Sequence, residues 1–283
     1  MVVDWNRVGP PLDVRPLFPI ERALLVELLS SLTASQWQAP TVCPGWSVHE
    51  VVAHLVHDYL RRLSGHRDRH RSPRPAPSED LPAFLARTNE EFVRATRGLS
   101  PRVLVDILTG FGPQLDALWA TCDIEAVGDI DVWWAARGAP APVWLDVARE
   151  YTEFWVHQQQ IRGAVGRPSP DHPSLLHPMA DTFMRALPHT LRDIPAADGT
   201  TITVTVGGTV NSDWTARRDP AGWSMAPGAA DRSLGGVRLR ITPDTLWRLA
   251  TRGISPDVAR QQVSVDGDEE LARAALQILS IIR

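Results

Sequence analysis

Lysine is absent from this chain, so every fixed positive charge sits on a planar guanidinium rather than on a flexible ammonium group. Cysteine is almost absent too. The two present, Cys43 and Cys122, lie far apart with no CxxC pair, which excludes a disulfide framework and fits a reducing cytoplasm. An excess of positive charge is also missing: the formal net charge is −4 and the isoelectric point near 6.1. A nucleic-acid surface would carry a basic excess on one face. The single basic cluster, Arg61 to Arg74, is interrupted by Pro73 and reads as a solvated loop. No uncharged apolar run of about 18 residues occurs, so no membrane span is expected. The opening MVVDWNRVGPPLD has neither a basic n-region nor an apolar h-region, so it does not read as a signal peptide, and a cytoplasmic location is expected. No internal repeat is visible.

What remains is ordinary soluble-protein composition, 43% hydrophobic and 22% charged, in 283 residues. That length is about twice the usual domain, and two domains are expected, 1–168 and 169–283. Apolar residues at helical spacing (Ile20, Leu24, Leu25, Leu28, Leu29, Leu32) predict a first amphipathic helix. Ser47 followed by Glu50 matches a capping box and predicts a second helix from Val48 to Leu63. The Gly-, His-, Arg- and Pro-rich stretch from Ser64 to Asp80 reads as a long crossover connection. Leu81 to Arg97 is helical again, and Pro101 to Cys122 predicts one or two helices broken near Gly110 to Pro113. Asp123 to Pro142 reads as a packed irregular segment, and Val143 to Val165 as a strong helix stopped by Gly166 and Pro168.

Beyond Gly166 the pattern changes. A helix at Leu175 to Leu191 precedes alternating β-branched segments at Thr201 to Val206, Trp214 to Arg217, Trp223 to Met225 and Val237 to Ile241. Short helices near Pro243 to Thr251 and Glu269 to Ile282 bracket a last strand at Gln262 to Val265. The expected fold class is thus a four-helix bundle followed by a small α+β domain with a mainly antiparallel sheet.

Chemistry concentrates in two places. Glu153 and His157 stand four apart on the strongest predicted helix, so both project from one face, one turn apart, with Glu150 a further turn back as a possible third acid. On the second helix His54, His57 and Asp58 form a polar group among Val51, Val52, Leu55 and Val56, and polar groups at core-like positions need partners. Bundles build metal sites from inward residues on facing helices, and three N/O ligands with a vacancy is the catalytic zinc arrangement. The spacing alone leaves a second reading open, an exposed pair or a satisfied core histidine.

Two longer motifs bear on that choice. The segment L-x-S-L-T-x-x-Q-W-x-x-P-T-V-C-P-G-W-S-V-H-E-V-V-A-H-L, ending at Leu55, and R-E-Y-T-E-F-W-V-H-Q-Q-Q-I-R-G-A-V-G-R-P, Arg149 to Pro168, resemble the mycothiol-dependent maleylpyruvate isomerase family within the DinB-like metalloenzyme superfamily. The resemblance implies a DinB-like bundle and a sterol-carrier-like second domain. It also implies one divalent metal, zinc, held by His54, Glu153 and His157, and mycothiol as thiol cofactor or cosubstrate. In the family's named reaction the thiolate adds to the cis double bond of maleylpyruvate, permits rotation and leaves to give the trans product; related members transfer sulfur to other electrophiles. The T-R-G element, Thr251 to Gly253, aligns with a family position where arginine serves the thiol or substrate site, so Arg252 is a catalytic or cofactor-binding candidate. A surface or helix-terminal charge is the other reading of that residue. Trp46 and His57 adjoin the ligand elements as further cofactor-binding candidates.

One departure stands out. Where family members commonly carry Asp three residues after the second metal-binding His, this chain has Gln160, which offers a ligand or substrate only a neutral hydrogen bond. Gln160 remains a cofactor-binding candidate, while the family's substrate does not follow automatically. Cys43 reads as a small thiol packed under Trp46 in the C-P-G-W turn, with no partner base apparent. The expected function is a metal-dependent, mycothiol-using isomerase or S-transferase, acting on a small electrophile with a low-molecular-weight thiol, as a monomer or homodimer. The alternatives are a thiol-exchange enzyme of a specialised biosynthetic pathway, and a non-catalytic bundle that binds a small ligand or partner and keeps a structural metal.

Overall fold

The computed structural model describes residues 3–70, 76, 78–79, 81–136, 138–226 and 236–280, with the side chains of 81 and 82 also left aside. Much of the expected crossover, at 71–75, 77 and 80, lies outside the described residues. The chain forms two compact units, one of Met1–Asp13, Asp123–Arg149 and Asp171–Ile281, the other of Val14–Cys122 and Glu150–Pro170.

The helical unit contains α1 (Phe18–Ser30), α2 (Ala34–Trp37), α3 (Val48–Arg62), α4 (Leu81–Thr96) and α5 (Pro101–Thr121), plus all but the first turns of α6 (Val143–Ala164). Its centre is aromatic. Phe18 stacks on Trp119 at 5.9 Å and meets Tyr151 and Phe154 edge-on, while Tyr59 packs on Phe154 at 5.0 Å. Rings of this size bury large apolar areas, and edge contacts add about 0.5–1.5 kcal/mol per pair. Two ion pairs tie helices together: Arg22 on α1 with Asp116 on α5, and Arg62 on α3 with Glu150 on α6.

The buried stripe of α1 runs through Phe18, Glu21, Leu25, Leu28 and Leu29, whereas Ile20, expected inside, is 48% exposed. A carboxylate therefore occupies a core position. The break expected near Gly110 to Pro113 does not occur: α5 is one helix of 21 residues with Pro113 inside it. Packing of α5 on α1 and α3 outweighs the single backbone bond that proline removes. The stretch expected to be irregular also contains order, a short hairpin of β1 (Val127–Asp131) and β2 (Pro140–Pro142). Charged Asp129 and Asp131 hid the alternation there.

The α/β unit is built on a five-stranded sheet: β3 (Thr201–Val206), β4 (Ser212–Asp219), β5 (Gly222–Ala226), β6 (Gly236–Ile241) and β7 (Ser264–Gly267), in the order β5-β4-β3-β6-β7. Among the described residues only the β3–β6 pairing is parallel, so the sheet is mainly antiparallel, as expected. Every residue of central β3 is buried, with the hydroxyls of Thr203 and Thr215 satisfying each other at 3.1 Å. On β6 Val237, Leu239 and Ile241 face inward while Arg240 is exposed, the period of two that marks a half-buried strand. The unit's helices are α7 (Pro173–Met184), α8 (Leu187–Thr190), α9 (Pro243–Ala250), α10 (Pro256–Gln262) and α11 (Glu269–Ala275). Helix α10 was not expected; its polar sequence Pro-Asp-Val-Ala-Arg-Gln-Gln has too few apolar positions to show a stripe, and it pushes β7 two residues on.

Set beside the boundary expected between 168 and 169, the chain crosses between units after Pro170, and residues 3–13 and 123–149 group with the α/β unit. Long-range polar contacts hold the first of these segments. Arg185 donates to the Val8 carbonyl at 2.6 Å and also pairs with Asp181, and Arg7 donates to the Trp223 carbonyl at 3.1 Å. Such pairings leave no periodic trace in sequence.

Candidate metal centre

The centre is assembled from a turn and two helices of the helical unit. In the turn, Cys43 accepts from the Trp46 amide at 3.0 Å across Pro44 and Gly45, and Gly45 has φ of +80°. Proline then glycine at the middle positions is what a type II turn requires. Thr41 pins the same turn, donating from its hydroxyl to the Trp46 carbonyl at 2.8 Å and accepting from the Cys43 amide at 3.1 Å. Helix α3 follows at once, and the expected contact from Glu50 back to the Ser47 amide is present at 2.8 Å. This start aims His54, two turns along α3, toward α6.

From α6, Glu153 and His157 project from one face as their spacing predicts. The Nε2 atoms of His54 and His157 each lie 3.0 Å from the same oxygen, Oε1 of Glu153, and one ligand atom from each residue falls within 4.8 Å of the others. Side-chain exposure is 6% for His54, 12% for His157 and 28% for Glu153, so the cluster is walled on the imidazole side and accessible along the carboxylate. Two imidazole nitrogens and a carboxylate oxygen are a donor set that zinc accepts with a position left open. The outer ring nitrogens of the two histidines differ. Nδ1 of His54 is buried with no hydrogen-bond partner among the described residues, and Nδ1 of His157 is bonded to Gln160 Oε1 at 2.7 Å. Both rings thus turn Nε2 to one point.

Electrostatics supports a compact charged cluster. Burial alone pushes the Glu153 carboxyl up, but His157 and His54 outweigh it and hold it well below the usual carboxylate range. Burial likewise pushes the His157 imidazole down, and the charge of Glu153, together with the Cys43 side chain beside the ring, overrides it to hold the ring well above its ordinary value. Asp58, buried on α3, is pushed up by burial yet kept low by Arg61 and His54. Arg61 binds that carboxylate at 2.6 Å.

The other expected residues fall into place differently. Trp46 lies with its ring 5.3 Å from the His54 ring and donates its indole N–H to Glu90 on α4 at 3.1 Å. His57, one turn beyond His54, stacks on Phe92 at 4.5 Å with Nδ1 3.0 Å from Asn89 Oδ1. Burial pushes its imidazole below the ordinary range, partly offset by Asp58 and by the bond to Asn89. Glu150, considered as a further acid, is instead locked to Arg62 through two bonds of 2.9 and 2.6 Å, with both side chains fully buried. Arg252 belongs to the α/β unit, where its guanidinium donates to the carbonyls of Leu249, Gln277 and Ile278 at 3.1, 2.7 and 2.8 Å.

Sequence reasoning missed Asn89, Glu90 and the engagement of Cys43. The first two sit on a helix with no motif, so nothing in the sequence singles them out. The Cys43 thiol, read as packing under Trp46, donates to Gln160 Oε1 at 3.1 Å. Its place in the C-P-G-W turn was the available signal.

Comparison with known proteins speaks to family and fold. Residues 18–162 match the family described as the mycothiol maleylpyruvate isomerase N-terminal domain. No curated protein matches. Among solved structures, a mycothiol-dependent maleylpyruvate isomerase and its histidine-to-alanine mutant each superpose with a TM-score of 0.50 at 15% identity, covering 94% of this chain and 97% of theirs. At that identity the likeness speaks for the fold. The family match spans just over half of the chain and includes all three clustered residues, and by it the chain belongs to the mycothiol maleylpyruvate isomerase family.

Proposed function

We propose that this chain is a metal-dependent enzyme that uses mycothiol to act on a small electrophile, with His54, Glu153 and His157 holding one divalent ion, zinc by donor preference. The observation that carries the reading is the convergence of two Nε2 atoms and one carboxylate oxygen from two helices. A divalent ion held there supplies the ability to bind a thiol as thiolate at neutral pH. The chain's own residues account for the rest. Glu153 brings negative charge and the accessible side of the cluster, the imidazoles close the other side, and Trp46 lies beside His54 as an apolar wall. His57, held by Asn89 and kept below its ordinary range by burial, lies one turn beyond His54 on α3 as a further polar group of the same helix.

Family membership favours isomerisation of a maleylpyruvate-like cis double bond, and Gln160 in place of the usual Asp keeps S-transfer to a different electrophile in play. Elemental analysis of purified protein is expected to give about one zinc per chain, lost in His54→Ala, and titration with mycothiol is expected to give heat only in the zinc-loaded form. Mycothiol heat that persists without metal, or turnover that survives in His54→Ala, refutes the proposal. Assay of the zinc-loaded protein on maleylpyruvate, against alkyl halides and epoxides with the same thiol, separates the isomerase from the transferase.

A further inference from the structure

The oxygen of the Gln160 amide is shared. It accepts from His157 Nδ1 at 2.7 Å and from the Cys43 thiol at 3.1 Å, while His157 Nε2 faces Glu153. An amide has two ends of nearly equal shape, one accepting and one donating, so its neighbours decide which way it points. With the carbonyl toward the ring, Nδ1 carries the hydrogen and Nε2 keeps a lone pair for an ion. With the amide reversed, its N–H would donate to Nδ1, the ring hydrogen would move to Nε2, and His157 would present a hydrogen where a ligand is needed. The thiol of Cys43 bears on this choice: its S–H lies 3.1 Å from the carbonyl oxygen and donates to it, whereas a reversed amide would meet only a weakly accepting sulfur.

We propose that Gln160 is a positioning residue for the metal ligand His157, and that Cys43 acts through Gln160, its thiol holding the amide oxygen against the imidazole. This deepens the metal reading above and rests on it. The turn that carries Cys43 serves the same end. Thr41 fixes the Cys43 amide, so the thiol reaches α6 from a rigid mount rather than from a mobile loop. A carboxylate at position 160 would have no wrong way round and would need no such donor, so the thiol matters because this chain carries glutamine.

The test is a set of zinc affinities, measured by competition with a chromophoric chelator, for Gln160→Leu, Gln160→Glu, Cys43→Ser, Cys43→Val and the double variant Cys43→Val with Gln160→Glu. Loss of the acceptor in Gln160→Leu is expected to weaken zinc by about 10–100-fold, the usual effect of removing a hydrogen-bond partner of a ligating histidine. Gln160→Glu binds at least as tightly as the parent, Cys43→Ser keeps a donor and changes affinity by less than about threefold, and Cys43→Val weakens it by about fivefold or more. In the glutamate background Cys43→Val has no further effect. An equal loss from Cys43→Val in both backgrounds, or parental affinity in Gln160→Leu, overturns the proposal.

A second readout needs no metal. The rate of Cys43 alkylation by iodoacetamide, followed on its peptide by mass spectrometry, is expected to rise several-fold in metal-free Gln160→Leu, because the thiol has lost its acceptor. An unchanged rate also overturns the proposal. If the parent takes up no zinc, the metal reading above fails, and the alkylation rates still report on the Cys43–Gln160 bond.

Discussion

The imidazoles of His54 and His157 lie 4.8 Å apart between ring centroids, inclined at 73°, and both direct Nε2 at one oxygen of Glu153. Without an ion, protons hold this arrangement together, since each nitrogen needs a hydrogen to share that oxygen. An ion and those protons compete for the same three atoms.

Zinc binding is therefore expected to release protons. Calorimetry in buffers of different ionisation enthalpy measures the number released. Because Glu153 holds the His157 ring protonated above its ordinary range, zinc affinity is expected to rise with pH through neutrality and fall below it. Glu153→Gln removes the charge at nearly constant volume and is expected to cost about 100-fold in zinc affinity, an effect of roughly 3 kcal/mol.

Glu21 sits in the core of the bundle at 1% exposure, its carboxyl pushed up by burial to about 7, with Gln158 donating to it at 2.8 Å. Its usual value is 4.5. Below that pH both folded and unfolded chains hold the proton and Glu21 has no effect. Between about 4.5 and 7 only the folded chain keeps it, so stability declines as pH rises, and above 7 the full cost of a buried charge is present. Glu21→Gln is expected to stabilise the protein by about 3 kcal/mol at pH 8 and by little at pH 4. Denaturant unfolding at the two pH values checks this.

Arg62 and Glu150 are both fully buried and joined by two bonds, with the Arg62 guanidinium 5.4 Å from the Trp119 ring centre. Removing one partner strands a charge in the core. Glu150→Gln and Arg62→Met are each expected to destabilise by about 3–5 kcal/mol, and the pair replaced together by Leu and Met by much less. Thermal unfolding of the two single variants and the double variant tests the difference.

Arg252 has φ of +56° and donates to three backbone carbonyls of the α/β unit. Arg252→Ala is expected to cost about 1–3 kcal/mol of stability, because those carbonyls lose a charged donor. The role in substrate recognition suggested by family resemblance predicts something more, a raised KM for a carboxylate-bearing electrophile that Arg252→Lys restores only in part. Kinetics on the folded variants, at a temperature well below their unfolding, separates the two effects.

Local patterns made much of this protein readable in advance. The apolar spacing and end signals of α3, α4 and α6 marked those helices to within a residue or two. The i, i+4 spacing of Glu153 and His157 already placed two of the clustered groups together. Proline 113 misled because its local penalty is small beside the packing of a long helix, and α10 was missed because a short polar helix carries no stripe.

The sequence by itself determined which groups could share one face of a helix and which turn would precede α3, since covalent spacing and the Pro-Gly pair act over a few residues. The meeting of His54 with Glu153 across 99 positions was decided by tertiary structure alone, as was the choice of Arg62 for Glu150 and of Gln160 for both Cys43 and His157. The physical reason is range. Backbone preference and amphipathicity act locally, whereas a buried polar atom takes whatever partner the packed core brings within hydrogen-bonding distance.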